Sequence, residues 1–188
     1  MGDLAERKNA ARAAAFSRRK AVHDAARSAM ACSHLQAYLR DYRDHPISGY
    51  MPIRTEIDPR PAMAEHSAHV PVGVPIVLGA GLPLEFHRWT PETEMQPGSF
   101  GARVPVNGVP MIPRILILPL AAFDSKGHRL GYGGGFYDRT LEKLRRNGPV
   151  TAVGFAYAGQ AVDALPIEAT DQPLDAVITE NGILRFAE

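Results

Sequence analysis

A glycine-rich string constrains this chain more than any other part of its sequence. Four glycines fall within five positions of the string LGYGGGFYDR, which runs from Leu130 to Arg139. Upstream, residues 115–120 form an unbroken apolar run of mostly branched side chains, typical of a strand buried on both faces of a parallel sheet. Downstream, residues 136–146 mix apolar and charged side chains at helical spacing. The sequence therefore predicts a strand, a glycine loop and a helix, in this order.

The glycine loop has the properties of a phosphate site. Glycines let backbone N–H groups approach a ligand closely, and the first turn of the next helix offers unpaired donors and a partial positive charge. Two common motifs are excluded, because no lysine follows the glycines as in GxxxxGK[ST], and Phe136 stands where GxGxxG requires its last glycine. A plain turn is the alternative, so the loop alone leaves the ligand open.

Length and composition bound the fold class and the compartment. A chain of 188 residues suits one domain with a sizeable core, and 45% hydrophobic with 22% charged residues is ordinary for a globular protein. No apolar run is long enough to span a bilayer, and the start of the chain lacks the apolar core of a signal peptide. The single cysteine, Cys32, excludes an intramolecular disulfide. We therefore expect a cytoplasmic protein without a membrane partner.

The positive charge is local and lies on a predicted helix. Net charge is +1, yet residues 1–27 hold seven Lys/Arg against three acids. Residues 3–43 are rich in alanine and predict one long helix or two abutting helices. At about 100° per residue, Lys8, Arg12 and Arg19 lie within roughly 40° of one another, and such a stripe can hold a polyphosphate. A solvated helix face is the alternative, whereas an RNA-binding module would need interleaved exposed aromatics, which are absent here.

The rest of the chain alternates predicted strands and helices. Further strands are predicted at residues 47–53, 70–78, 84–89, 150–157, 174–179 and 183–186, and a short helix at 61–68. Residues 91–113 form a long connection punctuated by proline and glycine, which we interpret as an active-site flap. The pattern predicts a single-domain α/β protein: a three-layer sandwich with a mostly parallel central sheet and a long N-terminal helix.

The string LGYGGGFYDR, with Phe123-Asp124 and Gly127-His128-Arg129 before it, closely resembles the signature of the 5-formyltetrahydrofolate cyclo-ligase family, also called methenyltetrahydrofolate synthetases. The likeness extends over nearly the whole chain, so it implies one such domain across residues 1–188. The implied reaction depends on ATP and magnesium. ATP phosphorylates the formyl oxygen of 5-formyltetrahydrofolate, N10 attacks the activated carbon, and phosphate leaves to give 5,10-methenyltetrahydrofolate.

The resemblance also implies site residues. Catalytic roles match Lys8, Arg12, Tyr132 and Gly134. ATP binding matches two segments, namely Lys8, Asn9, Ala10, Ala11 and Arg12, and Arg129, Leu130, Gly131, Tyr132, Gly133, Gly134, Gly135, Phe136 and Tyr137. The folate pocket matches Tyr50, Met51, Ile53, Glu56 and Trp89, together with Tyr132, Gly133, Gly134, Gly135 and Phe136. Magnesium matches Asp138 and Asp171, whose hard oxygens are donors of the type that this ion takes.

Four of these residues have a structural alternative. One carboxylate can accept both N–H donors of a pterin's aminopyrimidine edge, but Glu56 alone is also a surface loop acid. Trp89 can stack on a flat ring or belong to the core. Asp138 suits the first turn of a helix, because the helix dipole favours an acid there, and Asp171 suits a turn cap.

Three positions depart from the family pattern. Tyr132 stands where the family often has a basic or a smaller residue, residues 101–106 read GARVPV in place of GIPEP, and Thr170 replaces a common histidine before Asp171. These departures leave an alternative function, a catalytically silent module that binds ATP or a folate. In either case we expect the reduced folate and ATP as partners, no nucleic acid, and a monomer or weak homo-oligomer.

Overall fold

An eight-stranded mixed sheet forms the centre of the computed structural model, which describes residues 2–186. The helices within this range are α1 (Gly2–Val22), α2 (Ala25–Arg40), α3 (Arg60–Ser67) and α4 (Phe136–Arg146). The strands are β1 (Ile47–Ser48), β2 (Val72–Ile76), β3 (Glu85–Trp89), β4 (Met95–Pro97), β5 (Arg103–Pro105), β6 (Pro110–Met111), β7 (Ile115–Pro119), β8 (Ala122–Asp124), β9 (Arg129–Leu130), β10 (Thr151–Phe155), β11 (Ala161–Val162), β12 (Ala176–Thr179) and β13 (Gly182–Arg185).

The middle of the large sheet is parallel and its edges are antiparallel. Its order is β13-β12-β10-β7-β1-β2-β3-β6. The five strands from β12 to β2 pair in parallel, whereas β13, β3 and β6 pair antiparallel with their neighbours. The apolar run predicted as a central strand forms β7, between β1 and β10. The predicted mostly parallel sheet is therefore confirmed, and the antiparallel edges are an addition to it.

Helices cover both faces of the sheet. Alternate residues of β7 point to opposite faces: Ile115 and Ile117 share one core cluster with residues of α2 and α3. Leu116 and Leu118 share a second cluster with Leu141 of α4. This period of two in a strand that is buried on both faces gives the predicted three-layer sandwich, which is confirmed.

The N-terminal helical segment is two helices rather than one. α1 ends at Val22, and the side chain of Asp24 caps α2 by accepting a hydrogen bond of 2.9 Å from the backbone N–H of Arg27. An Asp at this position satisfies one of the free donors of the new helix, so the chain can turn there. Of the two arrangements predicted, the structure has the abutting pair.

Two stretches differ from their predicted form. The strand predicted at residues 47–53 is only two residues long, and after it the chain leaves the sheet. Between β7 and the glycine loop lies an unpredicted hairpin of β8 and β9, which β11 extends to a small sheet. Asp124 closes that hairpin, because its Oδ1 accepts from the N–H groups of Lys126 and His128. The glycine loop therefore follows β9 and not the central strand.

The connection predicted as a flap is a second hairpin. β4 and β5 pair antiparallel within it, and Phe100 lies at its tip with a positive φ of 58°. The end of the connection returns to the large sheet as its edge strand β6. Among the helices of residues 2–186, none combines the length and apolar character that crossing a membrane requires.

Candidate active site

A cavity of about 730 Å³ opens where the parallel strands of the large sheet end. Pro119 at the end of β7 and Pro75 near the end of β2 lie in its wall. The glycine loop, the flap tip and the start of α1 complete the wall. Open α/β sheets commonly bind ligands outside the carboxyl ends of their strands, so the cavity is in the expected place.

The structure brings most of the predicted site residues to this one cavity. Those in its wall are Lys8, Arg12, Tyr50, Met51, Ile53, Glu56, Arg129, Leu130, Gly131, Tyr132, Gly133, Gly134, Gly135, Phe136, Tyr137, Asp138 and Asp171. Thr170, one of the departures from the family pattern, is there too.

Four predicted site residues lie away from the cavity wall. Trp89 is buried in the core cluster under α2 and α3. Of its two predicted positions, ring stacking or the core, the structure has the core. Asn9, Ala10 and Ala11 line no part of the cavity, because the helical turn points Lys8 and Arg12 inward and these three elsewhere. Asn9 acts only on its neighbour, since its Oδ1 accepts from Nη1 of Arg12 at 2.8 Å.

The glycine loop adopts a conformation that side chains would disturb. Gly133 and Gly135 have φ values of 96° and 64°, in the left-handed region that glycine enters freely. A Cβ on Gly133 would lie 2.9 Å from Cζ of Arg12, so the missing side chain admits this guanidinium against the loop. Arg12 also donates through Nε to the carbonyl of Gly131 at 3.2 Å. The loop is therefore held to α1 by Arg12.

Lys8 joins α1 to the turn that carries Glu168 and Asp171. Its Nζ donates to Oε1 of Glu168 at 2.7 Å and to Oδ2 of Asp171 at 2.8 Å. Only 7% of Lys8 is exposed. Burial lowers the pKa of Lys8, but the hydrogen bonds and charges of Asp171 and Glu168 outweigh it and leave the pKa above its ordinary value. The lysine is thus a buried cation at neutral pH.

Arg129 and Asp138 form a second ion pair in the wall. Nη2 of Arg129 donates to Oδ1 of Asp138 at 2.6 Å, and the N–H of Gln172 donates to the same oxygen at 3.0 Å. Burial lowers the pKa of Arg129, and the charge of Asp138 opposes this shift. The pair joins β9 to the first turn of α4 and to the turn that carries Asp171.

These carboxylates fit magnesium only in part. No group of three or more His, Cys, Asp or Glu side chains within residues 2–186 is placed to hold a metal ion. Magnesium, however, commonly takes one or two protein carboxylates together with substrate phosphates and water. Asp138, Asp171 and Glu168 all line the cavity and suit that second arrangement.

The opposite part of the cavity contains a buried acid. Oε2 of Glu56 accepts from the N–H of Ile53 at 2.8 Å, and its Oε1 accepts from the hydroxyl of Tyr132 at 3.0 Å. Burial raises the pKa of Glu56 and outweighs the Ile53 N–H, the Arg19 charge and the Tyr132 hydroxyl, which lower it. Tyr50 uses its own hydroxyl to donate to the carbonyl of Ile57 at 2.7 Å. The surface-loop alternative for Glu56 is therefore wrong.

Sequence reasoning missed several residues of the wall. Phe100 is 72% exposed at the flap tip, and its ring lies 5.8 Å from that of Phe136. Arg54 has a positive φ of 55°, which is uncommon for a residue with a side chain. The missed residues with charged side chains also include Arg103, Arg139 and Glu168. Signals were available for most of them: Phe100 and Arg103 lie within the connection predicted as a flap, Arg139 ends the glycine-rich string, and Glu168 is close to Asp171 in the sequence.

Comparison with known proteins gives consistent results. The profile of the 5-formyltetrahydrofolate cyclo-ligase family matches residues 3–180. The chain is 33% identical to the 5-formyltetrahydrofolate cyclo-ligase of Escherichia coli, with 81% of this chain and 87% of the relative covered. It is 30% identical to the enzyme of the same name from Mycolicibacterium smegmatis, with 94% and 96% covered.

Solved structures resemble the chain over almost its full length. The 5,10-methenyltetrahydrofolate synthetase of Aquifex aeolicus superposes with a TM-score of 0.77 at 26% identity, covering 96% of this chain and 93% of that one. The Mycoplasma pneumoniae synthetase gives a TM-score of 0.72 at 22% identity, which supports the fold alone.

Proposed function

The chain belongs to the 5-formyltetrahydrofolate cyclo-ligase family, and from this premise we propose that it uses ATP and magnesium to close 5-formyltetrahydrofolate to 5,10-methenyltetrahydrofolate. The observation that carries the proposal is that one cavity wall contains both the cation-flanked glycine loop and the buried acid Glu56. The first suits a polyphosphate and the second suits a pterin edge.

On the polyphosphate side, the protein would act by position and charge. Lys8 and Arg12 would bind the phosphate oxygens, with backbone N–H groups of the loop and the first turn of α4 as further donors. Asp138 and Asp171 would hold magnesium, which supplies charge neutralisation to the phosphates. Lys8 is paired with Asp171 in this structure, so nucleotide binding would have to redistribute these contacts.

On the folate side, Glu56 would fix the pterin so that the formyl oxygen faces the terminal phosphate. Transfer of that phosphoryl group to the formyl oxygen gives ADP and converts a poor leaving group into a good one. N10 of the same folate then attacks the formyl carbon and phosphate leaves, a ring closure that benefits from proximity. No protein nucleophile takes part, and the residues assigned to catalysis, Lys8, Arg12, Tyr132 and Gly134, stabilise charge.

The alternative is a silent module that binds ATP or a folate. Tyr132 and Thr170, two of the departures, both lie in the cavity wall, which is the specific observation in its favour. Against it stands the presence of Lys8, Glu56 and Asp138 in the same wall. We further expect one domain across residues 1–188 that works in the cytoplasm as a monomer or weak homo-oligomer.

A near-ultraviolet absorbance assay for the methenyl product tests the proposal. Product is expected only when 5-formyltetrahydrofolate, ATP and magnesium are all present, with one ADP formed per product. Omission of each component is the matched control. Calorimetric binding of ATP or folate without any turnover would instead support the silent module. Absence of turnover together with absence of binding to either ATP or folate would exclude both functions.

A further inference from the structure

We propose that Arg19 is a positioning residue that sets the orientation of Tyr132 and the charge of Glu56, and thereby the affinity for the folate. The inference rests on the proposed function, because it takes Glu56 as the group that binds the pterin. Arg19 itself lies outside the cavity wall, beneath Tyr132 and Glu56, and would act through these two side chains.

The burial of Arg19 is the first reason. Only 1% of this residue is exposed, although a guanidinium is costly to remove from water unless its donors are satisfied. Its donors reach three separate segments of the chain. Nε donates to Oγ1 of Thr55 at 3.1 Å, Nη1 to the carbonyl of Leu120 at 3.4 Å, and Nη2 to the hydroxyl of Tyr132 at 2.8 Å. One side chain of α1 thus ties the glycine loop, the segment that carries Glu56, and the chain just beyond β7.

The direction of the hydrogen bonds is the second reason. Arginine has no acceptor, so Arg19 must donate to the Tyr132 oxygen, and the tyrosine proton is then available for another partner. That partner is Oε1 of Glu56, at 3.0 Å from the Tyr132 hydroxyl. The direction of both bonds is therefore fixed: Arg19 donates to Tyr132, and Tyr132 donates to Glu56. Each Glu56 oxygen has accepted one bond, from Tyr132 or from the Ile53 N–H, and retains capacity for a substrate N–H donor.

Ring packing holds Tyr132 in place for this role. Its ring centroid lies 5.1 Å from that of Phe16, one helical turn before Arg19 on α1. The guanidinium of Arg19 lies 5.6 Å from the Tyr132 ring centroid, and that of Arg54 lies 5.9 Å from it. Cations at such distances are attracted to the ring face. Tyr132 is therefore fixed by contacts from two elements, and the hydroxyl stays aimed at Glu56.

Charge is the third reason. Burial raises the pKa of Glu56, and the nearby Arg19, with Nη1 4.0 Å from Oε1, favours the ionised form that a pterin edge requires. The other titratable or charged groups facing this acid are Arg54, Tyr132, Tyr50 and Tyr137. The tyrosines are neutral at pH 7, because burial raises the pKa of each. Arg19 is thus the buried cation beside Glu56, and its removal would let Glu56 take up a proton at higher pH.

The test compares Arg19→Met, Arg19→Lys and Tyr132→Phe with the wild-type chain. Arg18→Met is the matched control, since Arg18 is the exposed neighbour on the same helix. Dissociation constants for 5-formyltetrahydrofolate and for ATP are measured by calorimetry between about pH 6 and about pH 9, with kcat and KM alongside. Folding of each variant is checked by circular dichroism. Tyr132→Phe removes only a hydroxyl, so it keeps the inference testable even where Arg19→Met fails to fold.

We expect Arg19→Met and Tyr132→Phe each to weaken folate binding about tenfold. The first removes the bond from the charged Arg19 to Tyr132, the second removes the bond from Tyr132 to the charged Glu56, and either loss leaves Glu56 less well oriented for the pterin. ATP binding should change far less. In Arg19→Met the folate affinity should also fall off at a higher pH than in the wild type, whereas Arg19→Lys keeps the charge and should restore that pH profile. The double variant Arg19→Met/Tyr132→Phe should bind the folate about as weakly as Arg19→Met alone, because both changes break the same chain of hydrogen bonds to Glu56.

Two results would overturn the inference. If the wild type binds and converts the folate but the Arg19 and Tyr132 variants keep its folate affinity and pH profile, Arg19 only stabilises the fold and the proposed function stands. If the wild type neither binds nor converts the folate, the proposed function fails and this inference falls with it. Arg18→Met should match the wild type in every measurement.

Discussion

Lys8 shows how one residue of α1 can serve both the fold and the ligand. In this structure its charge is balanced by Glu168 and Asp171, two acids from a turn that lies 160 residues away along the chain. The lysine side chain is only 9% exposed, whereas those of Glu168 and Asp171 are 50% and 25% exposed. Loss of both acids would therefore leave a buried cation without a partner. The same cation faces the cavity, where a polyphosphate would compete for it.

We expect Lys8→Met to lower kcat/KM for ATP by about a hundredfold or more, because the proposed phosphate site would lose a preorganised cation. Steady-state kinetics with ATP varied at saturating folate measure the effect. Lys20→Met is the control, since Lys20 is an exposed lysine near the end of the same helix. Activity equal to that of the wild type would remove Lys8 from the mechanism.

At the scale of elements, the three inward cations of α1 each bind a different partner. The predicted stripe of Lys8, Arg12 and Arg19 is real in the sense that all three contact the loops around the cavity. Helical periodicity gives their common face, because it depends only on local geometry. It cannot give their partners, which are distant in the sequence, and so the burial of Arg19 and its bond to Tyr132 were beyond prediction.

The glycine loop supplies a prediction about backbone conformation. Gly133 has a φ of 96° and the space for its Cβ is occupied by Arg12, so Gly133→Ala combines backbone strain with a displaced cation. We expect a loss of about 1–2 kcal/mol in the free energy of unfolding and a weaker affinity for ATP. Urea unfolding and calorimetry measure the two effects.

Gly79→Ala is the control for that substitution. Gly79 has no positive φ, and a Cβ there would meet Cδ1 of Leu82 at an ordinary contact distance of 3.5 Å. It should therefore leave both quantities close to those of the wild type. If the two alanine variants have the same free energy of unfolding and the same affinity for ATP, the loop can accept a side chain at position 133, and the prediction is wrong.

At the scale of the whole molecule, the layers were predictable and the shape of the cavity wall was not. The composition of β7 and the spacing in α4 report directly on burial, so the sandwich followed from them. The β8–β9 hairpin depends on a turn closed by Asp124, and the cavity wall formed by Phe100 and Arg103 depends on how a long connection folds back. These features arise from tertiary contacts that carry no period in the sequence. Trp89 lies in the core, which was one of the two positions that the sequence allowed for it.

Stability of the whole chain should depend on pH through His66, a residue outside the cavity wall. His66 is 3% exposed on α3, and its Nε2 lies 2.9 Å from the carbonyl of His45, for which it is a donor. Burial lowers the pKa of His66; the His45 carbonyl and Glu65 oppose the shift, and His69 and Arg43 add to it. The folded state therefore binds fewer protons than the unfolded state below the ordinary value of 6.5.

The sign of the effect follows from that difference in bound protons. As pH falls below about 6.5, the unfolded chain gains a proton that the folded chain refuses, so the free energy of unfolding should fall by up to about 1.4 kcal/mol per pH unit until the lowered pKa is reached. Glu56 contributes with the opposite sign. Its pKa in the folded state is raised above the ordinary value of 4.5, so the folded state binds a proton at pH values where the unfolded state does not, and acidification through that range adds stability. The wild type alone therefore reports a sum, and a variant is needed to separate the two groups.

His66→Gln isolates the histidine contribution, because glutamine retains an N–H donor for the His45 carbonyl and does not titrate. Urea unfolding at about pH 5, 6, 7 and 8 should show a shallower loss of stability on acidification in this variant than in the wild type. The constant offset from altered packing cancels, since only the slope is compared. Parallel curves for His66→Gln and wild type would show that His66 takes up its proton as readily in the folded core as in the unfolded chain.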